Sequence, residues 1–185
     1  MAETALVVLL PELEPVIGEF QRRHTPSGVE GLGAHATLIV PFARTPARTE
    51  ALALVARTVA PFAPFEVAFR ETARFPATAE EPAALYLAPE PAENLVALAS
   101  ALASAFPEYP PYAGKFDEVV AHVTLAQGDD ALLRPIEQQV AARLPVTTRA
   151  ERVWLVEHTP AGWHKRSAFP LIGSNPGGLP SHARP

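Results

Sequence analysis

Two copies of a short His-x-Thr pattern bring together side chains that can exchange protons and donate hydrogen bonds. The first copy, His-Ala-Thr-Leu, begins at His35, and the second, His-Val-Thr-Leu, begins at His122. Because side chains alternate between the two faces of a strand, each histidine shares a face with the threonine two positions later. Each copy is therefore predicted to be a strand that buries its apolar side chains and presents an imidazole beside a hydroxyl, from Thr37 or Thr124.

Two imidazoles that face each other across a cleft suit a reaction that needs a general base and a general acid at the same time. Attack on phosphorus is such a reaction, because one histidine takes a proton from a water or hydroxyl while the other protonates the departing oxygen. Each ring nitrogen must come within about 3 Å of its oxygen, so a phosphate would fit between the two rings. The two threonines can donate to non-bridging phosphate oxygens, where charge develops in the transition state. This chemistry requires no metal and no cofactor.

The elements around the two motifs repeat in the same order. Each half reads as strand, helix, His-x-Thr strand, helix, strand. The two histidines are 87 residues apart, and the strands that follow, at Phe65 and Glu151, are 86 apart. This offset indicates an α+β protein built from a duplicated β-α-β-α-β unit with pseudo-twofold symmetry. We expect two lobes, from repeats at about 5–75 and 84–172, with antiparallel sheets lining a central cleft and helices outside.

Local patterns give approximate bounds for these elements. Apolar runs and alternation predict strands, helical spacing of apolar residues predicts helices, and proline marks many of the boundaries. The predicted strands cover 5–10, 34–40, 65–69, 84–88, 119–126, 152–157 and 163–171, and the helices cover about 14–23, 45–59, 91–106 and 134–143. Residues 24–33 are predicted to be a loop, and the proline- and glycine-rich tail 174–185 is predicted to be disordered.

Composition narrows the class of protein. With 185 residues, of which 48% are apolar, the chain matches one ordinary domain, here residues 1–173. It contains no cysteine, and its N-terminus shows neither a signal peptide nor a membrane span, so we expect a cytoplasmic protein. The net charge of -5 argues against a general nucleic-acid binder but allows a site for one phosphate. No protein partner is evident, and we expect a monomer.

Several residues outside the motifs are candidates for substrate binding. Lys115 and Tyr112 precede the second motif, and Phe42 follows the first. The lysine could neutralise a phosphate, and the aromatic rings could stack on a nucleobase. The alternative is solvated charge for the lysine and packing within a lobe for the rings. The only other lysine, Lys165, is expected to be solvated, and Trp154 is expected in the core.

The paired motifs, their separation and the repeated element order resemble the 2H phosphoesterase superfamily, also called the 2′-5′ RNA ligase-like family. The resemblance extends over about residues 6–172. It implies a bilobal α+β fold and a metal-independent phosphodiesterase acting on 2′,3′-cyclic or 2′-5′ phosphodiester bonds of RNA or nucleotides. It further implies that His35, Thr37, His122 and Thr124 are catalytic. Some members of the family run the reverse reaction, which is RNA 2′-5′ ligation.

Other functions remain open at the level of sequence. One alternative is a non-catalytic module that binds a nucleotide or a phosphate, although intact histidine and threonine in both motifs count against it. Another is a phosphodiesterase for a small cyclic metabolite such as an ADP-ribose cyclic phosphate. The acidic net charge and the scarcity of lysine favour a small or short substrate, either an RNA end or a nucleotide with a cyclic phosphate. The symmetry leaves both histidines eligible as the base, with His122 preferred for hydrolysis.

Overall fold

Eight strands form two antiparallel sheets in a computed structural model that describes residues 3–43, 49–110 and 120–173. The strands are β1 (Thr4–Leu9), β2 (His35–Ile39), β3 (Phe65–Phe75), β4 (Ala83–Glu90), β5 (Val123–Gly128), β6 (Val146–Ala150), β7 (Arg152–Thr159) and β8 (Gly162–Pro170). Sheet A has the strand order β2-β1-β7-β8, and sheet B has the order β5-β4-β3-β6. The predicted α+β class with two antiparallel sheets is confirmed.

Helices connect and cover these strands. They are α1 (Glu14–His24), α2 (Pro26–Val29), α3 (Thr49–Val59), α4 (Glu93–Ala105) and α5 (Asp130–Ala141), and a 3-10 turn spans Pro11–Leu13. α5 begins four residues before its predicted start because the Asp129 side chain caps it, accepting a hydrogen bond from the backbone N–H of Leu132 at 2.9 Å. α2 lies within a predicted loop. Of the helices described, none has the length and apolar character needed to traverse a bilayer.

The two repeats exchange their last strands between the sheets. β3 belongs to the first repeat but pairs with β4 and β6 in sheet B, whereas β7 from the second repeat pairs with β1 in sheet A. The prediction that repeats 5–75 and 84–172 each build one lobe is therefore wrong for the sheets. Local patterning identifies a strand but not its partner, because partner choice depends on contacts far away in sequence. The motif strand nevertheless occupies the same outer position in both sheets.

The helices also cross between the sheets. α1 follows a strand of sheet A but packs against β5 of sheet B, and α4 follows a strand of sheet B but packs against β2 of sheet A. As a result, one contiguous cluster of buried side chains includes Leu6 and Leu38 from sheet A together with Leu85 and Leu125 from sheet B. The two halves share a single core, so the position of one motif strand is fixed relative to the other.

The largest differences from the predicted strands occur at β3, β6 and β5. β3 continues to Phe75. Its register with β4 shifts between Phe69 and Thr72, and the pairing with β4 resumes after Arg70 and Glu71. β6 was not predicted, since Val146–Ala150 is a short edge strand with polar side chains. The second motif strand begins at Val123, and residues 120–122 are not in a strand. The predicted helix start at 45–48 and the tail 174–185 lie outside the described residues.

Candidate active site

The two motif strands meet where the sheets adjoin. β2 is an edge strand of sheet A, β5 is an edge strand of sheet B, and the two strands contact each other. Within β2 the alternation matches the prediction, because Ala36 and Leu38 are buried while His35 and Thr37 are partly exposed on the opposite face. In β5, Thr124 is partly exposed between the buried Val123 and Leu125. His122 immediately precedes this strand.

One backbone contact orients each imidazole. Nδ1 of His35 lies 2.7 Å from the carbonyl oxygen of Gly33, and Nδ1 of His122 lies 2.7 Å from that of Val120. A carbonyl oxygen only accepts hydrogen bonds, so we assign the proton to Nδ1 in both rings. The neutral ring then carries its lone pair on Nε2, which can take up a proton and later donate it. Both histidines are thus held in the tautomer that a base at Nε2 requires.

Burial lowers the pKa of both motif histidines. For His35 desolvation is the largest cause, the contact with Gly33 opposes it, the positive form of His122 lowers the pKa further, and Glu14 raises it. For His122 desolvation again lowers the pKa, opposed by the contact with Val120. Because the charge of His122 acts on His35, the two imidazoles share one electrostatic environment. An anionic phosphate beside them would favour the protonated form of one ring.

Glu14 lies behind the His35 motif and was missed by the sequence analysis. Its Oε1 accepts a hydrogen bond from the backbone N–H of Ala34 at 2.5 Å, and its Oε2 lies 3.2 Å from Nη1 of Arg22. A Cβ at Gly33 would come within 2.6 Å of Oε1, so glycine allows the carboxylate to approach the backbone. Glu14 therefore positions the residues leading into the motif and places a negative charge near His35.

Two aromatic rings pack around His122 instead. Phe75 and Tyr86 are stacked with ring centroids 4.3 Å apart, and their rings meet the His122 ring at 5.0 and 5.6 Å in edge-to-face arrangements. Tyr86 is also the register partner of Thr124 across β4 and β5. These rings fix and desolvate His122. Tyr86 fell within a predicted strand, but its place beside the motif depends on the β4–β5 pairing.

Gln21 joins α1 to the second motif. Its side chain is 3% exposed, and its Nε2 donates to the backbone carbonyl of Thr124 at 2.7 Å. This bond fixes the edge strand β5 relative to α1, whose first turn carries Glu14. The sequence offers one indication that Gln21 belongs to the site: Glu14 and Gln21 are seven residues apart, so they lie on one face of a helix.

The predicted substrate-binding residues have different outcomes. Phe42 is 4% exposed and packs edge-to-face against Phe106 and Tyr109, with ring centroids 5.0 and 5.4 Å away. Its prediction as a stacking residue is wrong, since its ring completes the core. Tyr112 and Lys115 lie outside the described residues.

The arrangement supplies two proton-transfer groups and two hydroxyl donors at two adjoining strands, with His122 immediately before its strand. Within residues 3–43, 49–110 and 120–173, no group of three or more His, Asp or Glu side chains is placed to hold a metal ion. Such a site is suited to bind a compact anion and to exchange protons on two sides of it.

Comparison with solved structures shows that the fold is a known one. TT0787 of Thermus thermophilus is 24% identical, with 94% of this chain and all of that chain covered, and a TM-score of 0.63. E. coli LigT complexed with 3′-AMP is 14% identical, with 92% of this chain and 98% of that chain covered, and a TM-score of 0.61. E. coli LigT complexed with NADP+ is 13% identical, with coverages of 91% and 96% and a TM-score of 0.56. The sequence has no significant match among curated proteins.

The fold is that of an α+β protein with two antiparallel sheets, each with a motif strand at one edge. Residues 9–161 match the family model of the 2′-5′ RNA ligase superfamily. The chain belongs to this superfamily, which confirms the predicted membership among the 2H phosphoesterases. Family membership supports phosphoesterase activity in general.

Proposed function

We propose that this protein is a metal-independent phosphodiesterase acting on 2′,3′-cyclic or 2′-5′ phosphodiester bonds of RNA or nucleotides. His35 and His122 are its acid and base, and Thr37 and Thr124 bind the phosphate. The observation that carries the proposal is that two histidines, each at the start of one of two adjoining edge strands, both have Nδ1 held by a backbone carbonyl at 2.7 Å. A purely structural role gives no reason for this duplication.

In hydrolysis of a 2′,3′-cyclic phosphate, Nε2 of the base takes a proton from water as the water oxygen bonds to phosphorus. The bond from phosphorus to O3′ breaks, and Nε2 of the protonated histidine gives its proton to O3′. The product carries a 2′-phosphate and a 3′-hydroxyl. Each threonine hydroxyl donates to a non-bridging oxygen as negative charge builds there. With the 5′-hydroxyl of a second RNA in place of water, its oxygen bonds to phosphorus, the bond from phosphorus to O3′ breaks, and the same two proton transfers give 2′-5′ ligation.

The surroundings favour His122 as the base and His35 as the acid in hydrolysis. Desolvation is the largest cause that lowers the pKa of both histidines. Among the other causes, the carboxylate of Glu14 acts to raise the pKa of His35, whereas His122 has aromatic rings on two sides. When His122 is neutral, its unfavourable charge effect on His35 disappears while the effect of Glu14 persists, and we therefore assign the acid to His35.

A small nucleotide or an RNA end bearing a cyclic phosphate is the proposed substrate. LigT of E. coli, which has this fold, has been crystallised with 3′-AMP. The net charge of -5 supports a short substrate over a long one, because binding through many phosphates needs a basic surface.

The deciding experiment is turnover of 2′,3′-cyclic nucleotides and of a short RNA ending in a 2′,3′-cyclic phosphate, with EDTA present. We expect opening to a 2′-phosphate by the wild type and none by His122→Ala. Nucleotide binding without turnover by the wild type would contradict the proposal and favour the binding module. Turnover of ADP-ribose cyclic phosphate alone would favour the small-metabolite enzyme.

A further inference from the structure

A cavity of about 670 Å³ opens beside the His35 motif. Its walls include Leu9, Gly33 and Ala34, and on the far side Trp154, Trp163 and Lys165. None of the four motif residues lines it, so it is a separate space next to the proposed reaction centre.

Strand register places this cavity on the same face of sheet A as the motif. Val7 pairs with Thr37 on one side and with Trp154 on the other, and Leu9 pairs with His35. Directly paired residues of antiparallel strands share a face. Trp154 therefore lies two strands from Thr37, roughly 10 Å across the sheet. A group held at Trp154 can belong to a ligand whose phosphate is held at the motif.

The cavity contains a cation that has no carboxylate partner among the described residues. Its three arginines pair with glutamates, in the pairs Arg22–Glu14 at 3.2 Å, Arg149–Glu151 at 3.7 Å and Arg152–Glu151 at 3.5 Å. Lys165 has no ion pair within the described residues, and its Nζ lies over the Trp154 ring, 5.2 Å from the ring centroid. Such a pair suits a nucleobase that stacks on the ring and a phosphate that draws the ammonium away from the ring face.

Two residues that line the cavity also carry buried polar atoms. Oε1 of Gln21 and Nε1 of Trp163 have no hydrogen-bond partner within the described residues, although buried polar groups normally have one. Both atoms are closed to solvent in this structure, so Trp154 and Lys165 are the groups that a ligand in the cavity can reach.

We infer that this cavity is a subsite for a second nucleotide, so that the substrate is an oligonucleotide rather than a cyclic mononucleotide. Its base stacks on Trp154, and its phosphate approaches Lys165. This inference rests on the proposed function, because the terminal cyclic phosphate must lie between His35 and His122. A mononucleotide has its only phosphate at the motif and leaves Lys165 without one.

The test compares adenosine 2′,3′-cyclic phosphate with the dinucleotide ApA ending in a 2′,3′-cyclic phosphate. We expect the wild type to prefer the dinucleotide by about tenfold in kcat/KM, as one stacked base and one phosphate contact would give. Lys165→Gln should remove most of this preference and leave mononucleotide turnover within about twofold. It should also lower the salt slope of dinucleotide binding by about 0.7, the value for one phosphate contact in a single strand.

Arg23→Gln is the matched control, since Arg23 is an exposed cation of α1, paired with Glu19 and outside the cavity. It should change neither substrate. Equal loss of both substrates in Lys165→Gln, or no preference by the wild type, would overturn the subsite and leave the proposed function standing.

Fluorescence tests the subsite even if neither substrate is turned over. The chain has two tryptophans, and both line the cavity. ApA ending in a 3′-phosphate should change the emission of the wild type, and Lys165→Gln should require about tenfold more of it. An unchanged emission at saturating dinucleotide would refute the inference. Loss of turnover with this binding intact would instead refute the proposed function alone.

Discussion

The two halves of the candidate site obey one backbone rule and differ in almost everything around it. In each half the histidine has its Nδ1 against the carbonyl two residues earlier, at the same 2.7 Å. Beyond that contact, His35 has the carboxylate of Glu14 and an open cavity nearby, whereas His122 has the rings of Phe75 and Tyr86. The two halves are thus alike in the backbone contact that determines the histidine tautomer. They differ in the side chains that influence the proton affinity of each histidine and in the space beside it.

This difference explains how a duplicated unit can serve a reaction that is not symmetric. Hydrolysis needs one proton acceptor and one proton donor, and two identical environments would leave the roles undivided. In the proposed mechanism, a carboxylate on one side and aromatic rings on the other would divide these two roles. Substitutions at the site, and the dependence of stability on pH, test this division of roles.

Removing either imidazole should have the largest effect on activity. We expect His35→Ala and His122→Ala each to lower kcat by about 10² to 10⁴-fold, the usual contribution of a general acid or base. The double variant should be little worse than either single variant, because the two groups act as a unit. His24→Ala, at the end of α1, is the control. Additive losses, or variants that unfold, would remove the basis for a paired mechanism.

Removing either hydroxyl should have the next largest effect. Thr37→Val and Thr124→Val keep the branched shape and delete the donor, so we expect kcat to fall by about 10²-fold with little change in thermal stability. Serine at the same positions should restore part of the activity. A loss confined to one threonine would show that the phosphate is held from one side, which would sharpen the difference between the halves.

Neutralising Glu14 should affect His35 and not His122. Glu14→Gln keeps an acceptor for the Ala34 N–H and removes the charge that raises the pKa of His35. The proton-donating form then becomes scarcer above neutral pH, and we expect kcat/KM at pH 8 to fall about 3- to 10-fold.

Glu19→Gln, an exposed change on the same helix, provides the baseline for that measurement. The informative quantity is the pH profile of kcat/KM. A shift of its other limb, or an equal loss at every pH, would exclude the assignment of His35 as the acid.

The lowered pKa values also predict a modest dependence of stability on pH. Below about pH 6.5 the unfolded histidines bind protons that the folded ones resist, so stability falls as the pH drops through this range. Each histidine contributes a slope of at most about 1.4 kcal/mol per pH unit. Urea unfolding between pH 5 and 8 should show a flatter dependence in His35→Gln and His122→Gln. An unchanged slope in both variants would show that neither ring is desolvated.

Much of the order of strands and helices could be predicted, because local sequence patterns indicate each element of the repeat. The order of strands and helices around His35 and His122 follows from alternation, helical spacing and proline positions. The exchange of β3 and β7 between the sheets could not be predicted, since the mixture of apolar and polar residues in both strands fits either sheet by local criteria. Strand β6 was missed because a short polar edge strand carries no strong periodicity.

The arrangement of the residues within the motifs could be predicted from the sequence, whereas the residues that surround the motifs could not. The side-chain alternation of β2 follows directly from its sequence, as the burial of Ala36 and Leu38 shows. Glu14, Gln21, Phe75 and Tyr86 reach the motifs through helix packing and strand register, which depend on the whole fold. Phe42 illustrates the converse error, because an aromatic residue after a motif is equally able to complete a core. The roles of Lys115 and Tyr112 stay predictions.

The strand exchange has a consequence for the order in which the protein can be made. Every strand of sheet B lies between residues 65 and 150, so that sheet can close while the chain is still being synthesised. β1 is the first strand to leave the ribosome, yet one of its two neighbours, β7, begins only at Arg152. The pairing of β1 with β7 must therefore wait until β7 has been synthesised, and contacts between residues so far apart in sequence form slowly. The His35 half is the first motif to be translated and the last to be completed.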